Sequence, residues 1–242
     1  MEPSAERCRV RWAIDVEAEM DHGRFQQLLE LLPADERQQV AKFMQPVDQH
    51  RALTSRVLQR CCVCQALGVE WREVTLALTK GRKPFTTNGK PPWAPNFNYN
   101  VSHEWGLLKS MADDEARREV IFQRLWSLKE AFVKARGDGL GFHPLSRAAF
   151  CFPDGDPWAR SAHLTLDGES NSSWHFELHD LDDGHCVSVA LGPPAEAVDA
   201  DGAFKSTLRL KHVIPATVAQ ASPRPFALVS LEQILSTCRG VC

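Results

Sequence analysis

A carboxylate and an amine stand one helical turn apart at Glu130 and Lys134, inside the stretch Trp126 to Gly141, WSLKEAFVKARGDGLG. Residues four apart line one face of a helix, so Trp126, Glu130 and Lys134 share a stripe. As a solvated pair the two charges add roughly 0.2–0.5 kcal/mol to helix stability and do nothing else. The alternative is a ligand station. Trp126 on the same stripe predicts partial burial, and a buried carboxylate and amine need partners or a ligand. Gly137, Gly139 and Gly141 follow, suited to a helix stop and a tight loop where backbone approaches a ligand closely. A second set of charges, Lys80-Gly81-Arg82-Lys83-Pro84, has the composition of a phosphate-gripping loop, although an ordinary exposed turn looks the same. A third stretch, Asn96 to His103, reads NFNYNVSH. As a strand it points Phe97, Tyr99 and Val101 one way and Asn96, Asn98, Asn100 and Ser102 the other, a polar face fit for a wet seam or a ligand wall.

The elements that must hold these residues can be read along the chain. Val10 to Glu17 alternates as an opening strand, and helical patterns run through Phe25 to Leu32, from Pro33 through Phe43, and from Asp48 to Leu67. Arg37, Arg51, Arg56 and Arg60 are spread over these helices, either as surface solvation or as a set converging on a phosphate. Strand character returns at Val74. Helix is predicted from Trp105 to Arg136 with an interruption near Glu115 to Val120, where charges crowd. Strands are predicted at Ala148 to Phe152, His163 to Leu166, Ser173 to His179 and His185 to Leu191, the last two joined by a hairpin at Asp182-Asp183-Gly184. Residues 193 to 224 read as a flexible tail, and Phe226 to Ser236 as a docked strand or helix.

A hydrophobic content of 43% supplies ample core, and a net charge of −3 gives no general case for nucleic acid or an anionic membrane. No apolar run reaches the roughly 18 residues of a membrane span, so the expectation is a soluble intracellular protein. Eight cysteines at irregular spacing do not form a secreted disulfide framework. Cys61, Cys62 and Cys64 contain a C-x-x-C but sit in the Asp48 to Leu67 helix without a second ligand pair, which favours core packing. His175 and His179 fall in a strand, roughly 13 Å apart, and so do not form a metal pair.

Taken together and in order, Gly81 to Pro84, Asn96 to His103 and Trp126 to Phe142 resemble the 4′-phosphopantetheinyl transferases of the Sfp type, nearer the animal branch that serves aminoadipate-semialdehyde dehydrogenase. The resemblance covers Arg11 through Leu191. It implies an α+β (mixed α/β) fold of two similar pseudo-symmetric halves, with coenzyme A in the cleft between them. It divides the chain into residues 1–103, 104–192 and a tail at 193–242. The implied reaction moves phosphopantetheine from coenzyme A to a serine of an apo acyl carrier domain, with Mg²⁺, releasing 3′,5′-ADP. Glu130 then corresponds to a magnesium ligand, and Lys134 to a residue that handles protons or stabilises the diphosphate. Ser102 and His103 correspond to the pair meeting the 3′-phosphate, in a segment that starts at Asn100 and Val101. Arg37, Lys80, Gly81, Arg82 and Lys83 correspond to positions touching coenzyme A phosphates, with Arg51 and Arg56 as looser candidates. Implied partners are carrier domains of fatty-acid synthase and aminoadipate-semialdehyde dehydrogenase type, met by a cytosolic monomer.

The resemblance has a gap. In the family the S-H pair is followed by a glycine, a strand, a G-[IV]-D motif whose aspartate is the principal magnesium ligand, and a further helix. Here His103-Glu104 runs straight into Trp105-Gly106-Leu107-Leu108. A stretch about as long as two strands and a helix is missing, which leaves the second half incomplete. Ala13-Ile14-Asp15-Val16-Glu17 imitates the lost motif in the wrong half, and nothing fixes Asp113, Asp114 or Glu115 at a site. Three functions follow: an active transferase, a shortened product that holds coenzyme A or a carrier weakly without transfer, and a carrier-binding scaffold.

Overall fold

The computed structural model describes residues 10–101, 114–181, 185–209, 225–238 and 240. The chain divides into two units that interleave in sequence: residues 1–77, 86–103 and 226–242 form the first, and residues 78–85 and 104–225 the second.

In the first unit the opening strand is short. Only β1 (Trp12–Ala13) is extended and paired, and α1 (Val16–Glu19) follows at once. Asp15 forces the change: its carboxylate accepts from the Glu17 and Ala18 amides at 3.0 and 3.1 Å and so caps a helix. This accounts for the imitation motif around Asp15, which is a helix start. Next come α2 (His22–Leu31), α3 (Ala34–Ala41) and α4 (Pro46–Leu67). Pro46 opens α4, and Gly68, left-handed at φ 73°, closes it. Helix α4 is the unit's axis, burying Leu53, Val57, Cys61, Val63 and Cys64 against Phe25, Leu28, Val40 and Trp71. Each such side chain contributes roughly 1.5–3 kcal/mol of burial.

Arg60 and Glu36 lock α3 to α4. The guanidinium donates to both Glu36 oxygens at 2.9 and 3.3 Å and to the Trp71 carbonyl at 2.9 Å. The far end of the chain completes this unit. A strand at Ala227–Leu228 pairs in parallel with β1, and a helix at Leu231–Ser236 buries Leu231 and Ile234.

A short hairpin, β2 (Leu76–Leu78) with β3 (Pro84–Thr86), follows, and its residues 78–85 group with the second unit. The second unit is a helix on a meander. Helix α5 (Asp114–Arg136) packs on the antiparallel sheet β4 (Ala148–Cys151), β5 (Ser161–Leu166), β6 (Glu169–Asp180) and β7 (Cys186–Leu191), in that spatial order. The terminal strand and helix of the first unit are thus β8 and α6. Alternation on β6 sends Trp174, Phe176 and Leu178 into the core with Leu128 and Phe132 of α5.

Three expectations change here. Helix α5 continues through Glu115 to Val120 without interruption, because Val120, Arg124, Leu128 and Phe132 form one buried stripe that holds the charged turn in register. Asn96 to Val101 is not a strand: Asn96 lies in a turn and the segment pairs with no strand among the described residues, though Phe97 and Tyr99 are buried and Asn98 and Asn100 exposed as the alternation predicts. Residues 193–209, expected as tail, are folded onto the second unit. Glu196 accepts from Trp174 Nε1 at 2.6 Å and from Ser173 Oγ at 2.7 Å, and Phe204 is buried against Phe85. The Asp182-Asp183-Gly184 turn lies outside the described residues, while the strands it joins pair from Asp180 with Cys186 to His175 with Leu191.

Candidate functional site

The stripe that carries Glu130 is not the stripe that packs. Val120, Arg124, Leu128 and Phe132 face the sheet, while Phe122, Trp126, Glu130 and Lys134 run two residues out of phase and face away. Trp126 is 44% exposed and stacks on Phe122 at 6.2 Å. On this face Trp126 is displayed, while Glu130 and Lys134 are of intermediate burial. Glu130 Oε2 lies 3.7 Å from Lys134 Nζ, and the two side chains are 40% and 38% exposed. Burial, and with it a need for further partners, does not explain the pair.

Adjacent residues anchor the helix. Lys129 turns inward and donates to the carbonyls of Leu145, at 2.9 Å, and Ala148. Burial lowers its pKa. Arg136 pairs with Asp138 at 2.8 Å and stacks over Phe132 and Phe142. Within the motif, position alone does not separate Lys129 from Glu130. The phase of the buried stripe, taken from Leu128 and Phe132, is the signal that separates them.

Two of the motifs meet within the second unit. Helix α5 stops at Gly137, left-handed at φ 90°, whose amide returns to the Val133 carbonyl at 2.9 Å. The basic loop lies directly on the turn that follows. A Cβ on Gly81 would come within 2.5 Å of the Gly137 carbonyl oxygen, and one on Gly139 within 2.7 Å of the Gly81 carbonyl oxygen. The two glycine-bearing backbones are in contact, which explains why neither carries a side chain. Lys80 and Arg82 project outward, exposed. Arg82 sits at φ 63°, held by its amide on the Thr79 carbonyl at 2.8 Å.

Lys83 does the opposite of what a phosphate grip requires. It is buried, its Nζ donates to the Ala135 carbonyl at 2.7 Å and lies 4.9 Å from the Phe204 ring centre, and burial pulls its pKa down to about 8 against the opposing charge of Asp199. Its ammonium caps the carboxyl end of α5, so Lys83 fastens the loop to the helix that carries Lys134.

The remaining candidates lie in the first unit. Arg37 is exposed on α3. Arg51 pairs with Asp48 at 3.6 Å, Arg56 donates to Gln39, and Arg60 is committed to Glu36. Asn100 is exposed and Val101 half-buried, while Ser102 and His103 lie outside the described residues. On β6 the two imidazoles flank a carboxylate: Glu177, buried, is 3.0 Å from His179 Nε2 and 3.8 Å from His175 Nε2.

A magnesium ion, implied by the resemblance, needs oxygen donors. The helix face offers one carboxylate, Glu130, next to an ammonium, and no group of three or more potential ligands occurs among the described residues. A hard cation is held by oxygen, typically one or two carboxylates with substrate phosphate and water. The described residues do not by themselves make such a site. Among them there is also no helix long and apolar enough to cross a membrane.

Two family profiles match the chain, "4′-phosphopantetheinyl transferase, N-terminal" over residues 19–113 and "4′-phosphopantetheinyl transferase superfamily" over residues 98–190. A phosphopantetheinyl transferase from Thraustochytrium sp. is 33% identical over 244 residues, covering 79% of this chain and 81% of that protein. The L-aminoadipate-semialdehyde dehydrogenase-phosphopantetheinyl transferase of Xenopus laevis is 30% identical over 250 residues, 83% and 77% of the two chains. Its Homo sapiens counterpart is 26% identical over 278 residues, 94% and 85%. That last alignment is longer than the 242 residues of the whole chain, so it contains positions that this chain lacks.

Proposed function

This chain belongs to the 4′-phosphopantetheinyl transferase superfamily, and we propose that it acts on coenzyme A, moving the phosphopantetheine arm to the serine of an apo carrier domain. The observation that supports this most directly is the seating of the basic loop on the glycine turn behind Glu130 and Lys134. It gathers Lys80, Arg82, Glu130 and Lys134 on one unit, three cations and one carboxylate around a helix end, which suits a diphosphate. In the reaction the carrier serine oxygen forms a bond to the phosphorus bearing pantetheine. The bond to the departing 3′,5′-ADP oxygen breaks, and the serine proton is released. Lys134 neutralises charge that develops on the leaving diphosphate, and Glu130 holds that ammonium in place.

Lys80 and Arg82, rather than Lys83, take the coenzyme phosphates in this reading. Arg37, Asn100, Val101, Ser102 and His103 are the proposed phosphate contacts of the first half, which is helical where the second is a helix on a sheet. The proposed acceptors are carriers of the fatty-acid synthase and aminoadipate-semialdehyde dehydrogenase type, and the proposed setting is a cytosolic monomer.

A second reading has its own support. The relative that aligns over more residues than this chain possesses, together with the single carboxylate of the helix face, fits a protein that retains coenzyme A without transferring its arm. Incubation with apo carrier, Mg²⁺ and coenzyme A labelled in the pantetheine arm separates the two. Label on the carrier serine, lost in Glu130→Gln, is the expected result. No label under conditions where an intact relative works overturns transfer. Coenzyme A binding that is retained by the unlabelled system and lost in Lys80→Ala/Arg82→Ala then identifies the second reading.

A further inference from the structure

The segment 193–209 takes no part in the chemistry above, yet it is built around one residue of the basic loop. It begins where β7 ends. A Cβ on Gly192 would come within 2.5 Å of the Trp174 ring, so the backbone lies against the indole only because no side chain intervenes. Glu196 then takes the Trp174 and Ser173 donors, and the Val198 amide donates to the Arg136 carbonyl at 2.7 Å. Beyond that point the segment bonds to itself. The Gly202 amide donates to the Asp199 carbonyl at 3.1 Å, the Ser206 amide to the Gly202 carbonyl at 2.9 Å, and Asp199 Oδ2 accepts from the Lys205 amide at 2.7 Å. This knot presents Phe204, only 3% exposed, with its ring centre 5.9 Å from that of Phe85 and 4.9 Å from Lys83 Nζ.

The basic loop is a closed turn that moves as one piece. The Thr79 amide donates to the Lys83 carbonyl at 2.9 Å, the Arg82 amide to the Thr79 carbonyl at 2.8 Å, and the Lys83 amide to Thr79 Oγ1 at 3.1 Å. Lys80 and Arg82 are exposed on it, so their placement follows from where the turn is held. One hold is the glycine contact already described. The other is Lys83, whose ammonium is gripped between the Ala135 carbonyl and the Phe204 ring. Helix end, loop and strap meet at Gly137, where a Cβ would stand 3.0 Å from the Val198 carbonyl oxygen and 3.3 Å from Lys83 Cδ. A cation over an aromatic face is held more strongly once water is excluded. Without the ring, water reaches the ammonium and replaces the carbonyl as its partner.

We propose that Phe204 is a positioning residue for coenzyme A: the 193–209 strap clamps Lys83 onto the end of α5 and thereby fixes Lys80 and Arg82 where they receive the coenzyme phosphates. This rests on the reading of Lys80 and Arg82 as coenzyme contacts. Phe204 touches no substrate in it and acts through Lys83 alone.

Three variants of the full-length chain test the clamp. Phe204→Leu keeps apolar burial and removes the ring face, Lys83→Met keeps the stem and removes the ammonium, and Phe204→Tyr keeps the ring. In native-state hydrogen exchange the amides of Thr79, Arg82 and Lys83 should exchange about tenfold faster or more in the first two variants, with β5 and β6 at wild-type rates and Phe204→Tyr close to wild type. Calorimetric titration with coenzyme A should show a dissociation constant raised about tenfold in each of the first two, and no further in Phe204→Leu/Lys83→Met, because both break one contact. Lys83→Met decides the question if Phe204→Leu has no cooperative melt. Wild-type exchange at the three loop amides overturns the proposal, and so does a loosened loop with undiminished affinity for coenzyme A. Failure of the wild-type chain to bind coenzyme A overturns the functional reading and the coenzyme role together, whereas the exchange rates still decide whether the strap holds the loop.

Discussion

Gly81→Ala is the sharpest probe of the loop that brings the cations to α5. The added Cβ would stand 2.5 Å from the Gly137 carbonyl oxygen, about 0.9 Å short of the 3.4 Å at which ordinary contact begins. The atom it meets is backbone at a helix stop, tied by the Gly137 amide to Val133 and flanked by Lys83, so it cannot swing aside as the end of a side chain would. Overpacking of this kind costs about 1–3 kcal/mol. For a chain of this size that corresponds to a melting temperature lower by roughly 3–10 °C. Gly141→Ala is the matched control, four residues beyond Gly137, with nothing within 4 Å of its Cβ and no positive φ. It should stay within about 0.5 kcal/mol of wild type. Thermal melts of the two variants, with amide exchange followed over residues 137–141, test the contact. Equal melting of Gly81→Ala, Gly141→Ala and wild type would refute the seating of the loop, and the grouping of Lys80 and Arg82 with Lys134 would go with it.

Breaking the α3–α4 lock should be severe. Arg60→Met or Glu36→Gln leaves a buried charge without its bidentate partner, a loss of about 3–5 kcal/mol by denaturant unfolding, and Arg60→Met/Glu36→Met should recover part of it; single variants within 1 kcal/mol of wild type would contradict the pairing. Lys83 gives a pH signature. Its folded value of about 8 lies below the ordinary 10.5, so between those values the unfolded chain binds more protons and stability rises with pH. Wild type should therefore gain on Lys83→Met by up to about 1.4 kcal/mol per pH unit from pH 8 to 10.5, and a difference that is flat with pH would show that the ammonium is not buried.

The sequence carried the secondary structure of the second half well, because each of its strands is long enough to show alternation and is paired with its neighbour in the chain. It failed at Val10 to Glu17 and at residues 193–209. In the first, one capping aspartate overrides an alternating pattern. In the second, Glu196 and Phe204 are ordered by contacts with Trp174 and Phe85, residues far away along the chain, and a composition of Ala, Pro and Asp carries no trace of them. At the site, spacing places Glu130 and Lys134 on one face, and Trp126 on that face is displayed because the core stripe runs two residues out of phase. Lys83 and Arg60 could not be told from their exposed neighbours, because a charged residue's commitment to a carbonyl or carboxylate depends on elements that only the fold brings near.

The pairing of β8 with β1 also sets an order of events during synthesis. The sheet from β4 to β7 is made of hairpins between neighbours, so the second unit can close as its last strand leaves the ribosome. The first unit cannot. Its helices emerge early, but the face of α4 covered by Leu231 and Ile234 waits for nearly the whole chain to be translated. The nascent chain therefore carries an open apolar surface on α4 while the whole second unit is made, and α4 reaches its final packing only after that unit can close.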